Sequence, residues 1–477
     1  MMRRYRLDHT RQSAEDLGRR WACILGVLAL LLITLTIPKP LTYAKSADWS
    51  TYLGNNARSG FNGSETIITT TTAPTLKLHW KLNAGAKITT QPVEANNLIY
   101  WGSWDGYEHA TNPATGKDVW TAFLGQTTVT CTNVKHGVLS TAAVASVLIN
   151  GVLTPVVFVG GGDVQTYALN ANTGVIIWHT SLGSQPDHFL YGSPAVFKGK
   201  VYIGVSSHGD CPLVQGQFVE LNASTGALEH TFNVVPNGCT GGSVWTAPTI
   251  DVATSVLYFS TGNPGTCSST ETMAPALIAV HTADLSLVAS WKVPLKAQST
   301  DGDFGSTPTL FQANIGGVVH HMVGLLNKNG IYYAFDRANL SAGPLWKVKL
   351  ASPTVNDKTN NIASSAWNGA TLFAAAAHTT INGKDCAGSL RALNPVNGSF
   401  LWQVCLQTAV LGAVTLVPGL AVVGEGLSLI IVQAKTGKQL FSFQDTMTNA
   451  DFMGPASISN GMLYQGNIDG YLYAFGP

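Results

Sequence analysis

Four short segments in the middle of the chain carry the side chains best suited to chemistry. They contain, in order, Trp245, Asn263, the pair Asp301 and Asp303, and Lys328. A carboxylate can accept a proton from a hydroxyl group, and carboxylate and amide oxygens are the ligands that hard cations prefer. A tryptophan ring offers the largest flat platform, and a lysine stabilises developing negative charge. The structural alternatives are core packing for the tryptophan and solvated turns for the polar residues.

Other reaction types find less support in the sequence. It contains no G-x-S-x-G motif, no pair of histidines at zinc-binding spacing and no C-x-x-C-H motif for covalent haem. The adjacent pair His320 and His321 lies in an apolar, strand-like stretch, which favours a packing or surface role. A hydrolase is therefore not indicated.

The composition predicts short strands joined by tight turns. Only 11% of the 477 residues are charged, 45% are hydrophobic and 49 are glycine. Residues 1–45 hold eight of the 27 basic and three of the 26 acidic residues, so residues 46–477 carry a net charge of −4. This mildly acidic body lacks the basic patch that a nucleic-acid partner requires.

Residues 1–45 have the pattern of a targeting segment. Six arginines precede an apolar run over residues 21–37, which predicts an N-terminal apolar helix. It is either a signal peptide cleaved after Ala44 or an uncleaved signal anchor. In both cases everything after residue 45 is expected outside the cytoplasm, secreted or at the outer face of the cytoplasmic membrane.

Cysteine usage agrees with export. Apart from Cys23 there are six cysteines, an even number that predicts disulfides in an oxidising compartment. Cys386 and Cys405 flank the inner strands of one repeat, so we predict that they pair. A second predicted pair is Cys211 with Cys239.

The elements that position these residues repeat along the chain. Each repeat contains a β-branched or aromatic strand, a turn, an alternating strand, an Asx/Thr-Gly turn and a closing aromatic residue, as in residues 98–120, 156–178 and 201–232. The closing aromatic residues lie 39 to 59 residues apart, the length of one four-stranded sheet with variable loops. They are Trp120, Trp178, Phe232, Trp291, Trp346, Trp402 and Phe441.

The two ends of the chain complete an eighth repeat. The last copy, residues 462–475, lacks a closing strand, and residues 76–80 form a closing strand with nothing before it. The pattern predicts an all-β, eight-bladed β-propeller of four-stranded antiparallel blades over residues 75–477, closed by pairing of the two ends. A lead-in segment, residues 46–74, precedes it. The closing tryptophans are expected to pack between neighbouring blades.

The repeat resembles that of the quinoprotein alcohol dehydrogenase superfamily over about residues 47–477, and residues 47–60 resemble its segment before the first blade. Residues 243–251 and 257–264 look like the segment of pyrroloquinoline quinone (PQQ) dehydrogenases whose Trp stacks on the quinone and whose Asn binds Ca²⁺. Residues 301–308 resemble the motif with the catalytic base, closest in form to the polyvinyl-alcohol dehydrogenase branch. Residues 327–337 are similar to the segment whose basic residue contacts the quinone oxygens.

The resemblance implies an extracytoplasmic, PQQ-dependent dehydrogenase that oxidises a small or polymeric alcohol and passes electrons to a separate acceptor. Trp245 and Lys328 would bind PQQ. Asp301 would be the base and Asp303 a second carboxylate near Ca²⁺, with these two roles exchangeable. Asn263 would be a metal ligand, with Asp210 as a further one. A nucleic-acid partner is not expected, and membrane contact is expected only through an uncleaved N-terminal segment.

One stretch departs from the family pattern. The third-blade region of PQQ dehydrogenases usually supplies a Glu to the metal, followed by an Arg-Gly step, but residues 206–216 contain no Glu, and Gln215 stands where Arg is expected. Asp210 is one methylene shorter than Glu, and the adjacent-cysteine pair of many such enzymes is missing. A non-catalytic cell-surface binding or scaffold propeller therefore remains an alternative, as does a different enzyme.

Overall fold

Short antiparallel strands make up nearly all of the regular structure. The computed structural model describes residues 48–356, 359–447 and 450–477, and within them eight sets of four antiparallel strands form the eight blades of a β-propeller. Blade 1 consists of Val93–Ala95, Leu98–Gly102, Tyr107–Thr111 and Asp118–Phe123, and blade 2 of Ala143–Ile149, Val152–Gly160, Gln165–Asn170 and Ile176–Ser181. Blade 3 consists of Ala195–Phe197, Lys200–Ser207, Gln217–Asn222 and Leu228–Asn233, and blade 4 of Thr249–Asp251, Val256–Ser260, Ala276–His281 and Leu287–Lys292.

Blades 5 to 7 follow in chain order, and blade 8 combines strands from both ends of the described chain. Blade 5 consists of Thr309–Ile315, Val318–Leu326, Ile331–Asp336 and Trp346–Lys349. Blade 6 consists of Ala366–Trp367, Leu372–Ala376, Gly388–Leu393 and Phe400–Leu406, and blade 7 of Thr415–Val417, Leu420–Glu425, Ser428–Gln433 and Gln439–Gln444. In blade 8, Ser457–Ser459, Met462–Gly466 and Tyr471–Gly476 are joined by Lys77–Asn83, which pairs antiparallel with the last of them. The predicted all-β, eight-bladed fold with four-stranded antiparallel blades is confirmed.

A few short elements lie outside this pattern. They are the strand His188–Phe189 beside blade 3, the hairpins Thr127–Thr128 with Lys135–His136 and Thr379–Ile381 with Lys384–Cys386, and the 3-10 turns Ala73–Thr75, Leu295–Ala297 and Arg337–Ala342. Within the part of the chain that is described, no helix is both long and apolar enough to cross a bilayer. The predicted N-terminal targeting helix and its cleavage site lie outside the described residues.

Closing tryptophans pack against the Thr-Gly turn of the following blade. The indole N–H of Trp120 donates to the carbonyl of Ala171 at 2.9 Å, and a Cβ on Gly174 would lie 2.7 Å from the same ring. Because Gly174 also has φ +72°, glycine meets two requirements there, backbone conformation and space. The predicted packing between blades is confirmed, and the same contact recurs at Trp80 with Gly116, Trp178 with Gly226, Trp346 with Gly398 and Trp402 with Gly437.

The lead-in segment contacts the innermost strands of all eight blades. Residues 49–62 form hydrogen bonds to each of these strands in turn. The pairs are Trp49 with Glu94, Ser50 with Val144, Asn56 with Val196 and Ile250, Ala57 with Leu310, Ser59 with Trp367, Gly60 with Leu416, and Asn62 with Ile458. One short segment, which contains several turns, therefore ties together strands that are far apart in sequence.

Arg58 anchors this segment beneath blades 3 and 4. Its side chain is fully buried, and its guanidinium donates to the carbonyls of Pro248 at 2.8 Å and Pro194 at 3.1 Å. Further bonds reach Thr51 and the carbonyl of Tyr52. Burial lowers the pKa of Arg58 to about 9, so it stays cationic at neutral pH. A buried cation requires such acceptors, and these fix the starts of two innermost strands.

Three disulfides staple the described chain. Cys386 and Cys405 are bonded, as predicted. The predicted pair Cys211–Cys239 is wrong. Cys211 lies after the second strand of blade 3 and bonds Cys131 in the connection from blade 1 to blade 2. Cys239, in the connection from blade 3 to blade 4, bonds Cys267 in the next blade. Both corrected pairs join loops of different blades, which linear spacing does not reveal.

The tryptophan–glycine contact makes a testable prediction. Gly174→Ala should lower the free energy of unfolding by about 1–3 kcal/mol more than Gly199→Ala, because it adds a clash with Trp120. Gly199 is the matched control, since it has φ +76° but no heavy atom within 4 Å of a Cβ. Denaturant unfolding of both variants measures the difference, and equal destabilisation would contradict the proposed role of the contact.

Candidate active site

Five of the six predicted site residues lie on connections at one end of blades 4 and 5. Trp245 precedes the first strand of blade 4, and Asn263 follows its second strand. Asp301 and Asp303 lie on the connection from blade 4 to blade 5, and Lys328 follows the second strand of blade 5. In an antiparallel four-stranded blade, the turn after the second strand and the connection to the next blade lie at the same end. The topology therefore brings together residues up to 83 positions apart.

Lys328 is at the centre of the cluster. Its Nζ lies 3.0 Å from both carboxylate oxygens of Asp301 and 2.7 Å from Oδ1 of Asp303. The same ammonium lies 5.1 Å from the centroid of the Trp245 ring, close enough for a cation–π interaction. The indole N–H of Trp245 donates to Oδ2 of Asp303 at 3.0 Å. Two carboxylates, one cation and one aromatic ring are thus held in direct contact.

Asn327 holds the acidic segment against Lys328. Its side-chain amide donates to the carbonyls of Gly302 at 2.8 Å and Asp303 at 3.0 Å, and the backbone N–H of Lys328 donates to the carbonyl of Asp303 at 3.1 Å. The turn that follows needs Gly330 at φ +82°. Lys328 lies in a turn but is buried, so the solvated turn that was the structural alternative for this residue is not formed.

Asn263 and Asp210 extend the cluster toward blade 3. The Nδ2 of Asn263 lies 3.0 Å from Oδ1 of Asp301 and 3.4 Å from Oδ2 of Asp210. Asp210 follows the second strand of blade 3 and is solvent-exposed. All six predicted site residues are therefore connected, with Trp245 and Lys328 linked to Asp210 through Asp301 and Asn263. Gln215 lies elsewhere, because its amide donates to Val235 and Asn237.

The carboxylates differ in ionisation because their surroundings differ. Burial raises the pKa of Asp303 to about 6, although Lys328 opposes the rise. Asp301 is half exposed, and hydrogen bonds from Asn263 and the charge of Lys328 outweigh its partial burial and lower its pKa. The loops around Asp210 partly desolvate it and raise its pKa. Burial alone would lower the pKa of Lys328, but Asp303 and Asp301 raise it.

A second group of side chains lies beside Asp210, and the sequence did not indicate it. The Nε2 of His208 lies 3.0 Å from Nδ1 of His136, which lies 3.1 Å from the hydroxyl of Tyr191. Burial lowers the pKa of His136 to about 4. Burial, together with the nearby charge of Asp210, raises the pKa of Tyr191. Single histidines in different blades show no spacing pattern, so only the fold reveals that they meet.

The donor set fits a hard cation in chemical type. Asp210 and Asp301 both accept hydrogen bonds from the Nδ2 of Asn263. If that amide turned so that its Oδ1 faced them, three oxygens of the type that Ca²⁺ prefers would meet there. In the described part of the chain, however, no group of three or more His, Cys, Asp or Glu side chains is already arranged to hold a metal. Asp303, the remaining carboxylate, is bound to Lys328 and Trp245. Asp301 is also bound to Lys328, through both of its oxygens, so either aspartate would have to exchange that partner for a cation.

The Trp245 ring fits a flat aromatic ligand. One edge of the ring packs closely over Gly305, where a Cβ would lie 2.5 Å from the indole, and its N–H is held by Asp303. The ring is therefore fixed in orientation and only partly buried. Lys328 beside it offers a positive charge to polar atoms of such a ligand.

Comparison with known proteins shows the family to which the chain belongs. A family model described as glucose/ethanol/alcohol dehydrogenase, beta-propeller domain, matches residues 49–351, and the chain belongs to this family. The expected relationship to the quinoprotein alcohol dehydrogenase superfamily is confirmed. A second model, described as outer membrane protein assembly factor BamB, matches residues 291–475.

Individual relatives include two dehydrogenases. A polyvinylalcohol dehydrogenase of Sphingopyxis sp. (strain 113P3) is 25% identical over 324 residues, covering 58% of this chain and 47% of the relative. A quinohemoprotein alcohol dehydrogenase of Comamonas testosteroni is 26% identical over 344 residues, covering 62% and 46%. The chain thus spans about half the length of these curated relatives. The similarity to the polyvinyl-alcohol dehydrogenase branch, expected from residues 301–308, is borne out.

Solved structures share the fold. The crystal structure of the Comamonas testosteroni quinohemoprotein alcohol dehydrogenase matches with a TM-score of 0.73 at 19% identity, covering 91% of this chain and 81% of that one. A europium-containing methanol dehydrogenase matches with a TM-score of 0.72 at 16% identity, covering 90% and 98%.

The unequal carboxylates give a pH prediction. In the metal-free protein Asp303 should titrate near pH 6, and Lys328→Met should move the transition to higher pH, because the lost ammonium stabilises the carboxylate. Infrared difference spectroscopy measures the carboxyl band, with Asp303→Asn identifying the signal by its loss. A transition that stays in place or moves to lower pH would contradict this electrostatic account.

Proposed function

We propose that the protein is an extracytoplasmic, PQQ-dependent dehydrogenase that oxidises an alcohol. The observation that carries the proposal is the convergence of Trp245, Asn263, Asp301, Asp303 and Lys328 on one cluster. These residues lie in four motifs that follow the order found in the family, and folding brings them into contact.

Trp245 and Lys328 are the proposed binding residues for the quinone. The tryptophan supplies the stacking surface, which the hydrogen bond to Asp303 and the packing over Gly305 keep in one orientation. Lys328 supplies positive charge next to that surface and stabilises negative charge as electrons arrive. When bound, PQQ supplies the oxidant, because it accepts the hydride that leaves the alcohol carbon.

Asp301 is the proposed base. Its side chain is 45% exposed, so a substrate hydroxyl can reach it, and its lowered pKa keeps it ionised at neutral pH. It would take the hydroxyl proton while the carbon loses hydride. Asp303 is buried and its oxygens are occupied by Trp245 and Lys328, which makes it the weaker candidate for direct contact with substrate.

Asn263, Asp210 and Asp303 are the proposed ligands of a Ca²⁺ ion, with Asp301 beside them. The argument rests on donor chemistry, because carboxylate and amide oxygens bind Ca²⁺ and a cation near the quinone would polarise it. Asp210 would fill the place of the missing glutamate. For Asp303 to bind the ion, it must exchange Lys328 or Trp245 for the metal.

Separate observations support the proposed extracytoplasmic location of the protein and its proposed class of substrate. Three disulfides favour an oxidising compartment outside the cytoplasm, in agreement with the arginine-rich, apolar N-terminus. The relatives named polyvinylalcohol dehydrogenase favour secondary or polymeric alcohols among the possible substrates. A separate electron acceptor must then reoxidise the reduced quinone.

The alternative is a non-catalytic propeller that binds or organises other molecules at the cell surface. It is supported by the match of residues 291–475 to the assembly-factor model and by the missing glutamate and arginine of blade 3. The alternative requires no cofactor, so reconstitution separates the two functions.

Reconstitution with PQQ and Ca²⁺ should give dye-linked oxidation of at least one alcohol in a panel of primary, secondary and polymeric alcohols. Asp301→Asn should lower kcat by about 10²-fold or more, since general-base catalysis contributes that much. Asp284→Asn, in an exposed turn of blade 4, is the matched control and should retain activity. Absence of both quinone absorbance and oxidation in the wild-type protein would reject the proposal.

Removing the stacking surface should weaken quinone binding in a graded way. Trp245→Ala should raise the Kd for PQQ roughly tenfold or more, and Trp245→Phe less, because phenylalanine keeps part of the aromatic area. Trp367→Ala in blade 6 controls for the loss of a half-buried tryptophan outside the site. Equilibrium dialysis measures the Kd, and equal affinities for all three variants would exclude stacking on Trp245.

A further inference from the structure

The disulfide Cys131–Cys211 lies directly beside a candidate metal ligand. Cys211 follows Asp210 in sequence, and its Cα lies 6.1 Å from that of Cys131, which is 80 residues away. Cys131 belongs to the connection between blades 1 and 2, within the hairpin formed by Thr127–Thr128 and Lys135–His136. The crosslink therefore joins the segment of Asp210 to a neighbouring loop and not to its own blade.

The segment that carries Asp210 has little other support. Gly209 and Asp210 both have positive φ, at 77° and 57°, a conformation that glycine and aspartate tolerate better than other residues. Within the described chain, residues 209–213 belong to no strand, and residues 209–212 form only a turn. The exposed aspartate would thus sample other conformations if nothing else restrained the segment.

Contacts on either side hold the ends of the segment and leave its middle to the disulfide. Before it, the N–H of His208 donates to the carbonyl of Asp187 at 2.7 Å. After it, the N–H of Val214 donates to the hydroxyl of Ser207 at 3.0 Å. The hairpin of Cys131 is itself fixed, because His136 in its second strand contacts His208. The disulfide therefore holds Cys211, the residue next to Asp210, against this fixed hairpin.

We propose that the Cys131–Cys211 disulfide is a positioning element that holds the Asp210 carboxylate in the cation site. The inference rests on the proposed function only in requiring that this cluster bind a cation. Since Cys131 is exposed, a dithiol reductant can reach the bond. It would pass two electrons and two protons to the bond, giving two thiols and becoming a disulfide itself, and Asp210 would then be free to leave Asn263. The cation affinity of the protein then depends on the redox state of this one crosslink.

The test measures cation binding in the full protein without PQQ, using Tb³⁺ luminescence and Ca²⁺ calorimetry. The double variant Cys131→Ser with Cys211→Ser should raise the Kd for both ions about tenfold or more, the range found when outer-sphere supports of metal ligands are lost. The matched control, Cys386→Ser with Cys405→Ser, removes a disulfide in blade 6 and should leave the Kd within about twofold. Circular dichroism checks that both double variants are folded.

Asp210→Asn distinguishes positioning from general stabilisation. It should raise the Kd in the wild-type background and add little in the Cys131→Ser, Cys211→Ser background, because the crosslink acts through that carboxylate. Full additivity of the two effects would overturn the proposal, as would an unchanged Kd in either the disulfide variant or Asp210→Asn. If the disulfide variant does not fold, limited reduction and alkylation of the native protein, with the open bond identified by mass spectrometry, provides the same comparison.

The result is separable from the fate of the proposed function. Cation binding that depends on the crosslink, in a protein that shows no alcohol oxidation with PQQ, would support the positioning role and reject the dehydrogenase. Alcohol oxidation by a protein whose cation affinity does not depend on the crosslink would support the dehydrogenase and reject the positioning role. Failure of the wild-type protein to bind either ion would reject the positioning role directly.

Discussion

The structure depends on the buried contact between the lead-in segment and the innermost strands. Arg58 is the strongest point of this contact, because a fully buried guanidinium must find acceptors, and it finds them in the carbonyls of Pro194 and Pro248. Tyr191 and Trp245 each lie three residues before one of these prolines. By fixing the backbone at these two prolines, Arg58 therefore also limits the positions of Tyr191 and Trp245.

The number and type of blades could be predicted from sequence because each blade repeats one local requirement. Trp120 packs against the next blade at Gly174, where only glycine meets both the requirement for space and that for a left-handed backbone. The tryptophan and the glycine therefore recur at regular intervals in the sequence. The lead-in segment shows no such repeat. Its eight contacts are made once each, by residues as unlike as Trp49 and Asn62, and no period connects them.

The candidate site was predictable to the extent that its residues lie in recognisable motifs. Asp301, Asp303 and Lys328 were identified in this way, and their proximity follows from blade topology. Their differing ionisation was not predictable, because the pKa of Asp303 depends on burial that only packing creates. The His136–His208 contact and the Cys131–Cys211 bond were missed for a related reason. Each joins loops of different blades, and residue spacing within a repeat carries no information on such pairs.

These restraints divide the candidate site into two halves of different rigidity. Trp245, Asp303 and Lys328 are held by packing, by Asn327 and by mutual charge compensation, so their geometry is built into the folded blades. Asp210 stands on an exposed turn outside the strands and depends on a covalent link. A cation that needs ligands from both halves would bind only when the Asp210 half is held in place. The departure of blade 3 from the family pattern therefore falls in the part of the site whose position is least determined by the propeller itself.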